Sequence, residues 1–268
     1  MKLGVVMEKG YALVTGASQG FGRAIALQLA ERGHGIIAVA RTRSKLNEMA
    51  DACGALNGGR VRIIESDLTA PDASSKLADD VIASGEQLDI LVNNAGEAIW
   101  GLFAAKPLND HLRMMKLNMT VPVELTHLLI PHLKRSKRAY ILNVGSMAGY
   151  NAMATLSTYS GSKSFILRWS RSLRMELEGT GIRVCCVCPG SIVTGFTERA
   201  GMQALDELAK KFGHPPEPVA KAAVSAMFSG KAEVVPGLMN SITVFAMGLM
   251  PEALVERIAS GIYLKKLK

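Results

Sequence analysis

The stretch YALVTGASQGFGRAIALQLA, residues 11–30, decides how the rest of the chain is read. Tyr11–Thr15 is a short apolar run of strand type, and Arg23–Ala30 repeats apolar residues at helical spacing. Between them the turn Thr15-Gly-Ala-Ser-Gln-Gly-Phe-Gly22 places three glycines. Their task is mechanical: they allow a tight strand-to-helix turn and let the backbone approach a pyrophosphate, which then lies at the positive end of the helix. A glycine-rich turn alone says little, but after a first strand and before an amphipathic helix it predicts a dinucleotide site.

Further strand-type runs follow at Gly35–Ala40, Val61–Glu65, Ile90–Asn93, Ala139–Val144 and Val184–Val187, separated by longer stretches of helical spacing. This alternation predicts an α/β fold, a doubly wound parallel sheet with helices on both faces. No linker, composition shift or repeat divides the 268 residues, so a single domain over 1–268 is expected. At 49% apolar and 20% charged, the chain can build a sizeable core. Leu3–Met7 is too short for the apolar region of a signal peptide, and the expected location is the cytoplasm. Leu238–Met250 is the most apolar stretch, yet it contains Asn240 and Ser241 and falls short of the ~20 residues that span a bilayer.

The net charge of +8 favours an anionic ligand, such as a phosphorylated cofactor, a thioester carrier or an acidic membrane surface. Basic residues are scattered except for Lys134-Arg-Ser-Lys-Arg138, read as a solvated helix end, and the closing Lys265-Lys-Leu-Lys268; with no zinc-finger spacing and no clustered aromatic and basic pattern, nucleic-acid binding is not expected. Cys185-Cys186-Val187-Cys188 nominally holds a CxxC, but it lies in a strand-type run, where positions three apart face opposite ways. These cysteines read as small, reduced core residues, and no metal site is expected. A site preferring NAD(H) usually ends its second strand with an acidic residue for the ribose hydroxyls. Here that strand runs into Arg41-Thr42-Arg43, a guanidinium and a hydroxyl where a 2′-phosphate would sit, so NADP(H) is expected over NAD(H).

A second constellation sits at 146–163, where Ser146 is followed thirteen residues on by Tyr159 and four later by Lys163. Ser157 is placed to cap a helix running to about Glu178, whose stripe Ile166, Trp169, Leu173 and Leu177 packs inward. Tyr159 and Lys163 then lie one turn apart on one face. A free tyrosine, with a pKa of about 10, is a poor acid–base group near neutrality, and a neighbouring cation is expected to lower that value.

Taken together, TGASQGFG at 15–22, NNAG at 93–96, Asn118, the Ser146/Tyr159/Lys163 set and Pro189-Gly190 with Thr194 resemble, in order and spacing over residues 10–195, the short-chain dehydrogenase/reductase family. The resemblance implies a Rossmann fold and an NADP(H)-dependent oxidoreductase that moves a hydride between the nicotinamide and a carbonyl or secondary alcohol. It assigns Tyr159 the proton transfer, Lys163 the ribose hydroxyls, Ser146 the substrate oxygen and Asn118 support of a water path for proton supply. The cofactor would meet Gly16, Ser18, Gln19, Gly20, Phe21, Gly22, Arg41 and Thr42, with Asp67 and Leu68 at the adenine. Asn94, Ala95 and Gly96 would line the cleft together with Asn93, which would also brace the fourth strand, and Pro189, Gly190, Ile192 and Thr194 would lie at the nicotinamide end.

The chain departs from the family pattern in three places. Gln19 stands where many NADP-preferring members carry a basic residue, Gly145 stands before Ser146 where a second serine is frequent, and no strand with a closing Asp-Gly-Gly follows Pro236-Gly237. The tail, about 236–268, with Pro216-Glu-Pro-Val-Ala-Lys221 before it, is loosely similar to ketoacyl and hydroxysteroid reductases. Leu254, Val255, Ile258, Ile262 and Leu264 have three open roles, covering an apolar substrate cleft, packing a dimer or lying on a membrane surface, with packing or dimerisation expected first, and the family resemblance implies a homodimer or homotetramer. A substrate lid over about 190–215, carrying Met202, Leu205, Leu208 and Phe212, implies a hydrophobic substrate such as a ketoacyl or ketosteroid-like compound. The competing reading is a non-enzymatic NADP(H) sensor that regulates a partner; a sensor needs no acid–base group, so the Ser/Tyr/Lys set favours an enzyme.

Overall fold

The computed structural model describes residues 9–202 and 213–267. Seven parallel strands form one sheet in the order β3-β2-β1-β4-β5-β6-β7. They are β1 Tyr11–Thr15, β2 Gly35–Ala40, β3 Val61–Glu65, β4 Leu88–Asn93, β5 Ala139–Val144, β6 Ile182–Val187 and β7 Glu233–Val234. Two strands start earlier than the apolar pattern suggests, because each carries a charged residue near its start. Asp89 in β4 accepts the Gly10 backbone N–H at 2.8 Å, and Arg183 in β6 is exposed.

The helices are α1 Gly20–Ala30, α2 Arg43–Asn57, α3 Ala73–Ala83, α4 Leu108–Met115, α5 Val121–Leu133, α6 Ser157–Glu176, α7 Phe196–Arg199, α8 Pro216–Phe228, α9 Leu238–Met247 and α10 Glu252–Lys265. On one side of the sheet α1, α2 and α8 pack on Ala12, Val14, Ile36 and Val187; on the other, α3, α5 and α6 pack on Leu13, Ile37, Leu91 and Val184. Both faces of the inner strands are therefore covered, which is why those strands read as continuous apolar runs without alternation. Chain order reverses between β1 and β4, and a crevice opens there beyond the carboxyl ends of the strands.

Two local features differ from the sequence expectation. Ser157 does not cap α6: Leu156 holds the cap position without a side-chain bond, Ser157 is the first helical residue, and the helix closes at Glu176. The chain enters it through Thr155, held at φ 70, whose carbonyl accepts the Gly101 N–H at 2.9 Å. The inward stripe is as expected, with Ile166, Leu173 and Leu177 buried and Trp169 half-buried. The second difference is β7, whose two residues are too few to show a period. It pairs Cys186 with Glu233 and Val187 with Val234, and Glu233 is pinned by the Tyr150 hydroxyl and by Arg171 at 2.7 Å. No helix among the described residues is long and apolar enough to cross a membrane.

Candidate active site

At the nucleotide end, β1 stops at Thr15, whose hydroxyl accepts the backbone N–H groups of Asn94 and Ala95, both at 3.0 Å, and donates to Val92 O at 3.1 Å. The Asn94 amide donates to Thr15 O at 2.8 Å and Gly16 O at 3.2 Å, so the glycine turn is fastened to the loop after β4. Gly16 and Gly20 sit at φ 66 and 58, and a Cβ at Gly22 would lie 2.3 Å from Gly16 O. Side chains are thus excluded from the floor of the turn. No side chain caps the start of α1 and no acidic residue lies in its first turn, leaving its N–H groups and positive dipole end directed at the crevice. A dinucleotide pyrophosphate fits this cradle.

A cleft of about 550 Å³ runs along the strand ends. It is lined at one end by Gly16, Ser18, Gln19, Gly20, Phe21, Gly22, Arg41, Thr42, Asp67 and Leu68, in the middle by Asn94, Ala95 and Gly96, and at the other end by Ser146, Tyr159, Lys163, Pro189, Gly190, Ile192 and Thr194. Asn93 is not there, against expectation. Its amide donates to Thr126 Oγ1 at 3.1 Å and Asn143 Oδ1 at 2.8 Å inside the sheet, so it braces β4 against β5 and α5 without facing the cleft. Asn118 also lies outside the lining. Within a π-helical turn, Lys116–Thr120, it accepts the Glu97 N–H at 3.0 Å and donates to Glu97 O at 2.9 Å and Ser162 Oγ at 3.1 Å.

At the adenine end, burial alone would raise the Asp67 carboxyl, but hydrogen bonds from the Thr69 N–H and hydroxyl, with Arg41 and Arg113 nearby, hold it below its usual value. Lys45, on the first turn of α2, donates to Gln19 Oε1 at 2.7 Å. A basic group therefore reaches from α2 to the place where the sequence shows only glutamine.

At the opposite end, α6 carries Tyr159 and Lys163 against the loop after β5 that carries Ser146. The Lys163 ammonium lies 5.9 Å from the centre of the Tyr159 ring and donates to Val144 O at 2.8 Å. Against the expected lowering, burial pushes the Tyr159 phenol up to about 12, although a hydrogen bond with Ser146 draws it back. The same burial brings Lys163 down to about 8. Desolvation disfavours the charged form of each group, and both are almost fully enclosed. Below the site, Cys186 and Cys188 lie side by side with sulphurs 3.7 Å apart, while Cys185 faces the opposite layer, so the nominal CxxC pair is split as the strand period requires.

Several cleft residues went unrecognised in the sequence. Met147, Met153, Leu156, Phe196 and the tail's Met247 and Tyr263 extend the cleft past Tyr159 as an apolar chamber. Met202, expected in the lid, is buried there too; Leu205, Leu208 and Phe212 lie outside the described residues. The apolar residues of the lid and tail pointed to a hydrophobic cleft, but nothing in a sequence shows which face of a terminal helix turns inward. Ser260 on α10 accepts the Ala154 N–H at 3.0 Å, fastening the tail to the loop that leads into α6.

The chain belongs to the short chain dehydrogenase family, whose profile matches residues 10–204. It is an oxidoreductase of that family with a Rossmann-like nucleotide fold. Among its relatives, it is 34% identical over 256 residues to the ketoacyl reductase HetN of Nostoc sp., a match covering 92% of this chain and 86% of that one. A very-long-chain 3-oxoacyl-CoA reductase of Aspergillus clavatus is 37% identical over 176 residues, covering 65% of this chain and 51% of that protein, so the match spans about half its length. Among solved structures, a short-chain dehydrogenase from Sphingobium yanoikuyae in complex with NADPH superposes with a TM-score of 0.79 at 28% identity, over 90% of this chain and 95% of the other.

Proposed function

We propose that the chain is an NADP(H)-dependent carbonyl reductase whose substrate is an apolar ketone of the 3-oxoacyl thioester class, folded as one domain with the lid and tail closing its cleft. The observation that carries this reading is the shape of the cleft: an anion-binding glycine turn and Arg41 at one end, Ser146, Tyr159 and Lys163 together at the other, and an apolar chamber beyond them. When bound, a reduced nicotinamide supplies the hydride. Tyr159 donates its proton to the carbonyl oxygen, the Ser146 hydroxyl hydrogen-bonds that oxygen as charge develops on it, and Lys163, also placed to hold ribose hydroxyls, replenishes the proton. Asn118 acts on this set by pinning Glu97 and Ser162; Ser162 in turn bonds Tyr159 O at 2.7 Å.

Arg41 and Thr42, with no carboxylate at the end of β2, support NADP(H), and the phosphate-bearing relative named above agrees. The ketoacyl class is supported by the names of the two relatives and by the chamber. Four free, buried cysteines agree with a reducing compartment such as the cytoplasm, and exposed Leu108, Leu112 and Leu128 on α4 and α5 suit a homodimer or homotetramer. A buried acid–base set has no use in a pure sensor, so the regulatory alternative is not favoured.

The test is NADPH oxidation with purified protein against 3-oxoacyl thioesters of increasing chain length, a ketosteroid, a small diketone and a keto sugar. Turnover that rises with acyl length supports the proposal. Turnover of the diketone or sugar alone would move the substrate class, and NADPH binding without turnover of any compound would restore the sensor reading.

A further inference from the structure

The tail is folded the wrong way round for a surface exposed only to water. On α9, Leu238, Met239, Ile242 and Phe245 face solvent, at 78%, 70%, 50% and 71% exposure, while the inward side holds Asn240, Val244 and Met247. The link to α10 continues the surface with Leu249 at 73% exposure. On α10 two stripes run at i, i+4, i+8: Val255, Ala259 and Tyr263 turn inward, two of them lining the cleft, and Leu254, Ile258 and Ile262 face out. The apolar arc of this helix is thus only half covered by the protein.

We propose that this helical hairpin docks flat on an anionic lipid surface. The charge pattern selects this occupant. From Leu238 to Met250 the chain has no charged residue. On α10, at about 100° per residue, Arg257 and Lys265 lie on the exposed arc with Leu254 and Ile258, whereas Glu252 and Glu256 lie on the far side. Apolar side chains with basic residues beside them and acidic residues turned away are what an acidic headgroup layer accommodates. The other apolar patch behaves differently: Leu108 and Leu112 on α4 are interleaved with Asp110, Arg113 and Lys116, charges of both signs that suit a protein partner. With ten and fourteen residues, α9 and α10 are too short to span a bilayer and are suited to lie in its surface. The same two helices wall the cleft through Asn240, Met247, Ala259 and Tyr263, so the chamber adjoins the docking face. The sequence ranked packing or dimerisation first; the exposure of this face and its charge pattern are the grounds on which the proposal prefers a lipid surface.

The experiment is co-sedimentation of the full chain with phosphatidylcholine vesicles, with and without about a third phosphatidylglycerol. It compares wild type with Phe245→Glu/Leu249→Glu and Lys265→Gln/Lys266→Gln, at low and high salt. All four substituted residues are exposed, and NADPH binding checks that each variant is folded. Expected are binding to the anionic vesicles, at least a tenfold loss in the glutamate variant, and a severalfold loss with weaker salt dependence in the glutamine variant. Failure of wild type to sediment with either vesicle, or equal sedimentation of wild type and the glutamate variant, would overturn the proposal. Light scattering in parallel adds one more refuting result: if the glutamate variant halves the mass of the protein and wild type ignores vesicles, the face binds a second copy of this chain. None of these readouts depends on which ketone is reduced.

Discussion

Gly145→Ala probes how tightly the floor beneath Ser146 is packed. A methyl at this position would sit 2.9 Å from Cys188 Sγ, 3.0 Å from Cys186 Sγ and 3.3 Å from Val187 O, all closer than ordinary van der Waals contact. The two sulphurs are already 3.7 Å apart and their residues are fully buried, so neither has free space to turn into. Overpacking of this kind costs about 1–3 kcal/mol. Gly145 is not in the left-handed region, so alanine also removes about 0.4–1 kcal/mol of unfolded-chain freedom, and the net expected loss is about 1–2 kcal/mol. Cys188→Ala alone leaves a small cavity costing about 1 kcal/mol, but in the double variant the new methyl takes the room of the missing sulphur. Urea unfolding of the four proteins at constant m-value should show a favourable coupling of about 1–2 kcal/mol. Strictly additive losses would refute the claim that glycine is required here by the paired thiols.

Three other outcomes follow from the same geometry. Arg41→Ala should weaken NADPH binding by about 10- to 100-fold, the worth of a charge-assisted contact, and NADH by less than about threefold, read by nucleotide fluorescence; equal losses would remove Arg41 from the 2′-phosphate. Lys163→Met should abolish turnover yet stabilise the protein by up to about 3 kcal/mol at pH 7, as burial penalises an ammonium whose folded value is about 8. Because the folded state binds fewer protons than the unfolded chain between pH 8 and about 10.5, wild-type stability should climb through that window and the gap should close, while a pH-independent gap would contradict it. Gly22→Ala, with a Cβ 2.3 Å from Gly16 O, should abolish nucleotide binding or soluble expression, and an unchanged NADPH affinity would show that the turn is looser than described.

The legible parts of the sequence were those where local chemistry and global fold agree. Buried strands such as Gly35–Ala40, unbroken, and Ala139–Val144, interrupted only by Asn143, show as apolar runs with the observed limits, and the glycine turn and the Tyr159/Lys163 spacing placed both ends of the cleft. What was hidden depends on contacts between distant segments. The two-residue β7 exists through Tyr150, Arg171 and its pairing to β6. Asn93 reads as a cleft residue, yet Asn143, fifty positions away, turns it into the sheet. The rise in the Tyr159 pKa is equally non-local, because spacing shows the cation and not the degree of burial. In the same way, Gly145 looks like a missing serine until Cys186 and Cys188 are seen beneath it.

The most direct measurement of the central claim sets Tyr159→Phe beside wild type in NADPH-dependent reduction of a 3-oxoacyl thioester, with NADPH affinity measured on both. The account predicts a fall in kcat of at least about 100- to 10,000-fold with NADPH affinity within about twofold, because phenylalanine keeps the ring and removes only the hydroxyl that carries the proton. A variant that binds NADPH normally and still reduces the thioester within about tenfold of wild type would contradict it.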